Sequence, residues 1–182
     1  MHDTPRIRTE RLTLVAGTPE MARAEYENPE RFSEVISASV PSSWPPPLND
    51  DQSMKYFMDH IEADPDAAGW LCWYILLYDD KGQSTVIGSG GFKGRPTTEG
   101  TVEIGYSLIE TYHGRGFATE AVRALVRWAF SHPDVERIIA HTFPELKPSI
   151  RVLEKNGFSH VGEGEEEGTI RYMLLRHDFE NR

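Results

Sequence analysis

Thr101-Val-Glu-Ile-Gly-Tyr-Ser-Leu108, continuing as Ile109-Glu-Thr-Tyr-His-Gly-Arg-Gly-Phe-Ala-Thr-Glu-Ala-Val122, decides how this chain folds. An apolar-rich strand runs into a turn holding Gly114 and Gly116, and a helix opens at Ala118 and Thr119. Glycines at such a junction let the backbone turn tightly and expose its N–H groups. The first N–H groups of the helix have no internal partner, and the helix dipole adds positive potential there. The local physics therefore predicts an anion site, sized for phosphate or pyrophosphate, between strand and helix. There is no G-x-x-x-x-G-K-[ST] for a nucleoside triphosphate, and no G-x-G-x-x-G with a later ribose-binding acid.

Outward from this junction the pattern is a regular alternation of elements. Towards the N-terminus, residues 11–15 alternate polar and apolar as a first strand. Thr18-Pro-Glu supplies an N-cap, a proline at the first helical position and an early acid, and a second short helix follows Pro29. Residues 41–47, with Trp44 and three consecutive prolines, form a stiff surface loop. Asp50 or Asp51 caps a helix to about Ala63, with Met54, Phe57, Met58 and Ile61 at helical spacing. Strands at 70–78, 86–92 and 101–108 then make an antiparallel meander, and 70–78 is apolar enough to be buried on both faces. Ala118, Ala121, Val122, Leu125 and Ala129 form one stripe of the next helix, which Pro133 ends. A strand at 137–142 precedes a helix at 147–156. Gly157 closes that helix, with Leu153 and Phe158 spaced for a Schellman contact. Two last strands, 158–162 and 170–176, flank the acidic loop 163–167, expected to be a solvated turn.

Composition bounds the function. The 182 residues suit a single domain over 1–182 with one substantial core. No apolar run approaches the ~20 residues of a membrane span, and Met1-His-Asp-Thr-Pro has no signal-like apolar stretch. One cysteine, Cys72, allows no internal disulfide and suits a reducing cytoplasm; its apolar flanks mark it as an inert core thiol rather than a nucleophile. A net charge of −10 argues against nucleic-acid binding and favours cationic partners such as amines. No metal-ligand spacing is present. A homodimer is compatible with the sequence.

Val102-Glu-Ile-Gly-Tyr-Ser, His113-Gly-Arg-Gly-Phe-Ala-Thr-Glu-Ala and Ser149-Ile-Arg-Val-Leu-Glu-Lys-Asn-Gly-Phe158 together resemble the GNAT superfamily of N-acetyltransferases. Within it they are most similar to the branch containing the ribosomal-protein N-terminal acetyltransferases. Thr9-Glu-Arg-Leu-Thr-Leu14 extends the likeness to the first strand. The resemblance implies an α+β fold, with a mixed, mostly antiparallel central sheet and helices on both faces. It also implies acetyl-CoA as acetyl donor and an amine, on a protein N-terminus or a small molecule, as acceptor. The pyrophosphate signature [Q/R]-x-x-G-x-[G/A] falls on His113, Gly116 and Ala118, with histidine in place of glutamine or arginine.

By that resemblance Ser107, Leu108 and Ile109 pair with the pantetheine arm like an added strand, and Gly114, Arg115, Gly116, Phe117, Ala118 and Thr119 surround the pyrophosphate. His113 departs from the pattern and is expected to be structural. A lysine acceptor titrates near ~10.4 and an α-amine near ~7.7–8, so a base is needed. Glu103, alternating away from Val102 and Ile104, is the candidate base, set against an ion-paired strand glutamate. Ser149, in the first turn of the last helix, is the candidate group beside the leaving sulfur, set against a polar helix-start residue. The family's usual asparagine falls on Leu146, which has no side-chain donor. By fold analogy Trp44 and its prolines, the 50–63 helix and the 163–167 loop frame the acceptor pocket. Two rivals stand beside a transferase: a CoA-binding regulatory module without catalysis, and a protein-interaction domain without CoA.

Overall fold

The computed structural model describes residues 4–181. Eight strands make one sheet: β1 (Arg6–Arg8), β2 (Leu12–Ala16), β3 (Cys72–Tyr78), β4 (Ser84–Phe92), β5 (Thr101–Leu108), β6 (Arg137–Thr142), β7 (Ser159–Glu163) and β8 (Ile170–Leu175). Their order is β1-β2-β3-β4-β5-β6-β8-β7. Every neighbouring pair is antiparallel except β5–β6. The helices are α1 (Pro19–Glu27), α2 (Pro29–Ile36), α3 (Asp51–Ala63), α4 (Phe117–Phe130), α5 (Lys147–Lys155) and α6 (Arg176–Glu180).

The helices cover both faces, because the central strands are apolar on both. On β3, Trp73 and Ile75 pack with α4 and Leu153 of α5, whereas Tyr74 and Leu76 pack with α1, α2 and α3. The caps follow the sequence. Thr18 Oγ1 accepts from the Met21 N–H, and Asp50 accepts from Ser53. At the end of α5 the Phe158 N–H reaches the Leu153 carbonyl at 3.1 Å and the Gly157 N–H reaches Glu154 at 3.0 Å, with Gly157 at φ 92°. This is the expected Schellman closure, and Leu153 and Phe158 are both buried.

Three details differ from the sequence expectations. A further strand, β1, hairpins onto β2, and a short α6 follows β8; both are too brief to carry a periodic signal. Trp70 and Leu71 precede β3 rather than opening it; the ladder with β4 ends at Cys72 and Gly91, and the Trp70 and Leu71 carbonyls accept from the Gly94 and Phe92 N–H groups. Trp44 is not a surface residue of its loop: it packs into the α1–α3 core against Phe32 and Tyr74.

The feature that positions the site lies between β5 and β6. Their parallel register holds Thr101 with Arg137, Val102 with Ile138 and Glu103 with Ile139, and there it stops. From residue 104 to 108, β5 pairs with β4 alone. The sheet forks, and one edge of β5 is left open just before the glycine turn.

Candidate active site

The turn predicted to bind an anion has the backbone for it. Gly114 and Gly116 sit at φ 72° and 81°, the left-handed region that side chains disfavour. Gly116 is the N-cap of α4 and offers no side-chain oxygen, so the first-turn N–H groups remain for an outside acceptor. A Cβ on Gly114 would meet nothing within 4 Å, and one on Gly116 would meet only Arg11 Nη2 at 3.3 Å. The space over this turn is open to a phosphate.

Two guanidinium groups flank it. Arg115 lies over the Phe117 ring at 4.9 Å and Arg11 over the same ring at 4.5 Å. Arg11, not foreseen as a site residue, reaches across from the β1–β2 turn and donates to the Arg115 carbonyl at 3.0 Å. Its guanidinium is held by Glu120, in the first turn of α4, at 2.7 Å. Glu120 also accepts from the Arg11 N–H and from Thr9 Oγ1, at 2.8 and 2.6 Å. Partial burial works against the Glu120 charge, but these donors outweigh it and hold the carboxyl below its usual range. The Thr9-Glu-Arg segment was the sequence signal, and its role is to clamp the hairpin onto the turn.

The other sequence-predicted contacts are placed as follows. His113 Nε2 donates to the Leu108 carbonyl at 2.8 Å, tying the turn back to β5. The Ile109 N–H is already given to the Ile87 carbonyl, and the Ile109 carbonyl accepts from Tyr112, so the backbone of Ile109 is turned away from the open edge. Ser107 is buried, with its hydroxyl 3.4 Å from the Leu48 N–H. Ala118 and Thr119 lie half-buried in the first turn of α4. Ser149 stands at the start of α5, on the other side of the fork. There the Tyr106 hydroxyl lies 3.2 Å from both its carbonyl and its Oγ. Burial pushes the Tyr106 phenol up to about 12, the Ser149 hydrogen bond pulling the other way. Tyr106 was quoted in the motif without a role; its place on the same strand face as Val102 and Ile104, next to Ser149, is tertiary information. Leu146 is exposed at the N-cap of α5 and gives no cap bond.

Glu103 sits at the crotch of the fork. Its carboxylate accepts from His141 Nδ1 at 2.9 Å and from Lys93 Nζ at 2.5 Å. Arg171 Nε donates to His141 Nε2 at 3.1 Å, and Arg171 Nη2 reaches Glu165 at 3.0 Å. A guanidinium can only donate, so His141 Nε2 must accept and Nδ1 carries the proton. The imidazole is thereby fixed as the neutral Nδ1–H tautomer directed at Glu103. The 163–167 loop is otherwise a largely exposed turn, with Glu165 at 69% exposure, and takes no part in the cavity wall.

That cavity, of about 580 Å³, opens on the α1–α3 face; Lys93, the ion-pair partner of Glu103, is on its wall, whereas Glu103 itself is not. Its walls include Asn49, Tyr56 and Phe57, the β4–β5 backbone from Gly90 to Lys93 and at Gly105, and Glu25. A Cβ on Gly105 would meet nothing within 4 Å, so β5 presents bare backbone to this space. Cys72 lines it too, half-buried, and burial pushes its thiol well up, which suits the expected inert role. Glu25 was missed entirely. It occupies the buried stripe of α1 with Met21, Ala22 and Ala24, and a carboxylate on such a stripe was the available signal.

Among the described residues, no group of three or more His, Cys, Asp or Glu side chains is placed to hold a metal, and no helix is long and apolar enough to cross a membrane. A family model described as an acetyltransferase (GNAT) domain matches residues 11–159. The chain is 27% identical over 158 residues to an uncharacterized N-acetyltransferase of Bacillus subtilis, YjdG, covering 86% of this chain and 88% of that one. It superposes on a GNAT-family acetyltransferase from Bacillus anthracis with a TM-score of 0.64 at 23% identity, over 95% and 99% of the two chains. A microcin self-immunity acetyltransferase, solved in complex with acetyl-CoA and AMP, gives 0.63 at 19% over 92% and 93%. These two structural likenesses establish the fold.

Proposed function

The chain belongs to the acetyltransferase (GNAT) domain family, and on that footing we propose that it moves an acetyl group from acetyl-CoA directly to a primary amine bound in the cavity beside β5. It is an acyltransferase of the N-acetyltransferase class, and acetyl-CoA is the donor. The observation that carries the finer reading is the fork. It leaves the open edge of β5 between the glycine turn on one side and the cavity on the other. A donor on that edge and an acceptor in the cavity meet in line.

The thioester supplies an activated carbonyl; the remaining work belongs to side chains and backbone. The turn at 114–119, with Arg11 and Arg115, holds the pyrophosphate. The free edge of β5 around Ser107 and Leu108 takes the pantetheine amides. Glu103, oriented by the neutral His141 and steadied by Lys93, removes the proton of the acceptor ammonium. The hydroxyl pair of Tyr106 and Ser149 returns a proton to the departing sulfur. Tyr106, held fully protonated at neutral pH, is the nearer donor and Ser149 its relay. The acceptor is a cationic amine, in keeping with the net charge of −10, and the single cysteine fits a cytoplasmic setting.

The test is Glu103→Gln, assayed by CoA release with an amine panel. Turnover falls by about 10²-fold or more, with the Michaelis constant for acetyl-CoA little changed. The loss shrinks as pH rises towards the acceptor's own value, where the amine deprotonates unaided. A loss that is the same at every pH refutes the role of Glu103 as base.

A further inference from the structure

Among the described residues, Glu25 is the one Asp, Glu, Lys, Arg or His side chain in the buried class, at 6% exposure. Its carboxylate accepts from Tyr74 Oη at 2.5 Å and from Trp44 Nε1 at 3.1 Å. Both donors are neutral, and no ion pair reaches it. A carboxylate taken out of water ordinarily finds a cation or a metal. This one finds neither among the described residues, yet it lines the cavity. A carboxylate has about four acceptor positions, and the two donors, Tyr74 and Trp44, leave others to be met. The surroundings of its two partners are aromatic, with Phe32, Trp44, Phe57 and Tyr74 packed ring against ring.

We infer that Glu25 is the anchor for a second cationic centre on the acceptor, so that the chain prefers diamines or polyamines to monoamines. This rests on the amine-acceptor reading given above. The sheet sets the scale. Tyr74 on β3, Ser89 on β4 and Ser107 on β5 are successive cross-strand partners on one face. Two strand spacings separate the Tyr74 end of that row from β5, or about 10 Å. Glu25 is therefore too far along the row to serve the nitrogen that is acetylated at β5, and well placed for one further along the same molecule. An ammonium seated there completes the missing ion pair, with Tyr56 and Phe57 of the cavity wall covering its methylenes.

Ionisation of Glu25 follows from the same burial, which raises its carboxyl to about 7 against the pull of the Tyr74 and Trp44 hydrogen bonds. The titratable groups facing it are Tyr74 and Cys72 on β3, both pushed well up by burial and neutral throughout. Lys93, just after β4 and also on the cavity wall, is engaged by Glu103, and Arg23 on α1 is paired with Glu62 of α3. Capture of a second ammonium therefore strengthens as pH rises through about 7.

The experiment compares α,ω-diaminoalkanes of increasing length with n-alkylamines of matching length, in wild type and Glu25→Gln, by CoA release. In wild type the diamine-to-monoamine ratio of kcat/KM is about 10 or more, peaking where the nitrogens stand about 10 Å apart, and it grows with pH across 7. In Glu25→Gln the ratio falls to about 1 at every pH. Calorimetric titration of the same diamines into the CoA-loaded protein follows the same order, and gives an answer independent of turnover. A ratio near 1 in wild type with both amines acetylated overturns the inference and leaves the transferase reading standing. A ratio kept in Glu25→Gln while both rates drop together also overturns it, making Glu25 a structural tether of Trp44. If no amine in the series is acetylated or bound, the amine-acceptor reading fails and this inference fails with it.

Discussion

Replacing Glu120 by Gln tests whether the β1–β2 hairpin clamps the phosphate turn. The carboxylate accepts three hydrogen bonds, from Thr9 Oγ1, the Arg11 N–H and Arg11 Nε, at 2.6, 2.8 and 2.7 Å. Glutamine keeps one acceptor oxygen and turns an NH₂ towards a donor. Charge-assisted bonds of this kind are worth ~1.5–3 kcal/mol when buried, whereas an exposed ion pair is worth less than ~1 kcal/mol. The Glu120 side chain is 15% exposed but that of Arg11 is 41%, so a cost of about 1–2 kcal/mol lies between these limits. For a chain of this size that lowers the melting temperature by about 2–8 °C. The sign of the pH dependence follows from the depressed carboxyl of Glu120. Its contribution is present above the unfolded carboxyl value, ~4.3, and is lost as pH falls through the lower folded value. Melting curves of wild type and Glu120→Gln should therefore differ at pH 7 and converge as the solution is acidified below about 4. Because Arg11 leaves the turn when Glu120 is removed, the Michaelis constant for acetyl-CoA should also rise by about 3–10-fold, the equivalent of one weakened cation–phosphate contact. An unchanged acetyl-CoA constant together with the full loss of stability would refute the clamp and leave Glu120 a stabiliser of the hairpin alone.

Gly116→Val puts a β-branched residue at φ 81° with its Cβ 3.3 Å from the Arg11 guanidinium; CoA affinity measured by calorimetry falls at least about 10-fold, while wild-type affinity would move the pyrophosphate elsewhere. Tyr106→Phe removes the hydroxyl beside Ser149; kcat falls by about 10–10²-fold with acetyl-CoA binding retained, and an unchanged kcat would exclude the hydroxyl pair as the proton source for the sulfur.

Much of the fold was legible because it rests on local signals. Caps at Thr18 and Asp50, the stripe from Ala121 to Ala129 and the Gly157 closure each state their element within a dozen residues. The glycine turn was equally plain, since Gly114 and Gly116 have no side chain to satisfy another role. What escaped was contact between distant segments. Arg11 reaches the turn across about 100 residues of chain, as its 104-residue separation from the Arg115 carbonyl records. Tyr106 meets Ser149 only through the fork. The His141–Arg171 partnership of Glu103 depends on β8 inserting beside β6 ahead of β7, an order no periodicity encodes. Glu25 was hidden by the opposite error: helical spacing put it in the core, where charge was not expected.

The three-rung seam between β5 and β6 also bears on how the molecule would report its own occupancy. Backbone amides on the unpaired edge of residues 104–108 have no ladder to shelter them on that side, so in solution they exchange with deuterium without any unfolding of the sheet. A chain of amides laid along that edge would supply the missing partners, much as a finger laid in an open zip keeps the teeth from parting. Slowed exchange confined to those residues and to the first turn of α4 would then map the donor's path residue by residue. It would do so in a protein that has catalysed nothing, before any acceptor is known.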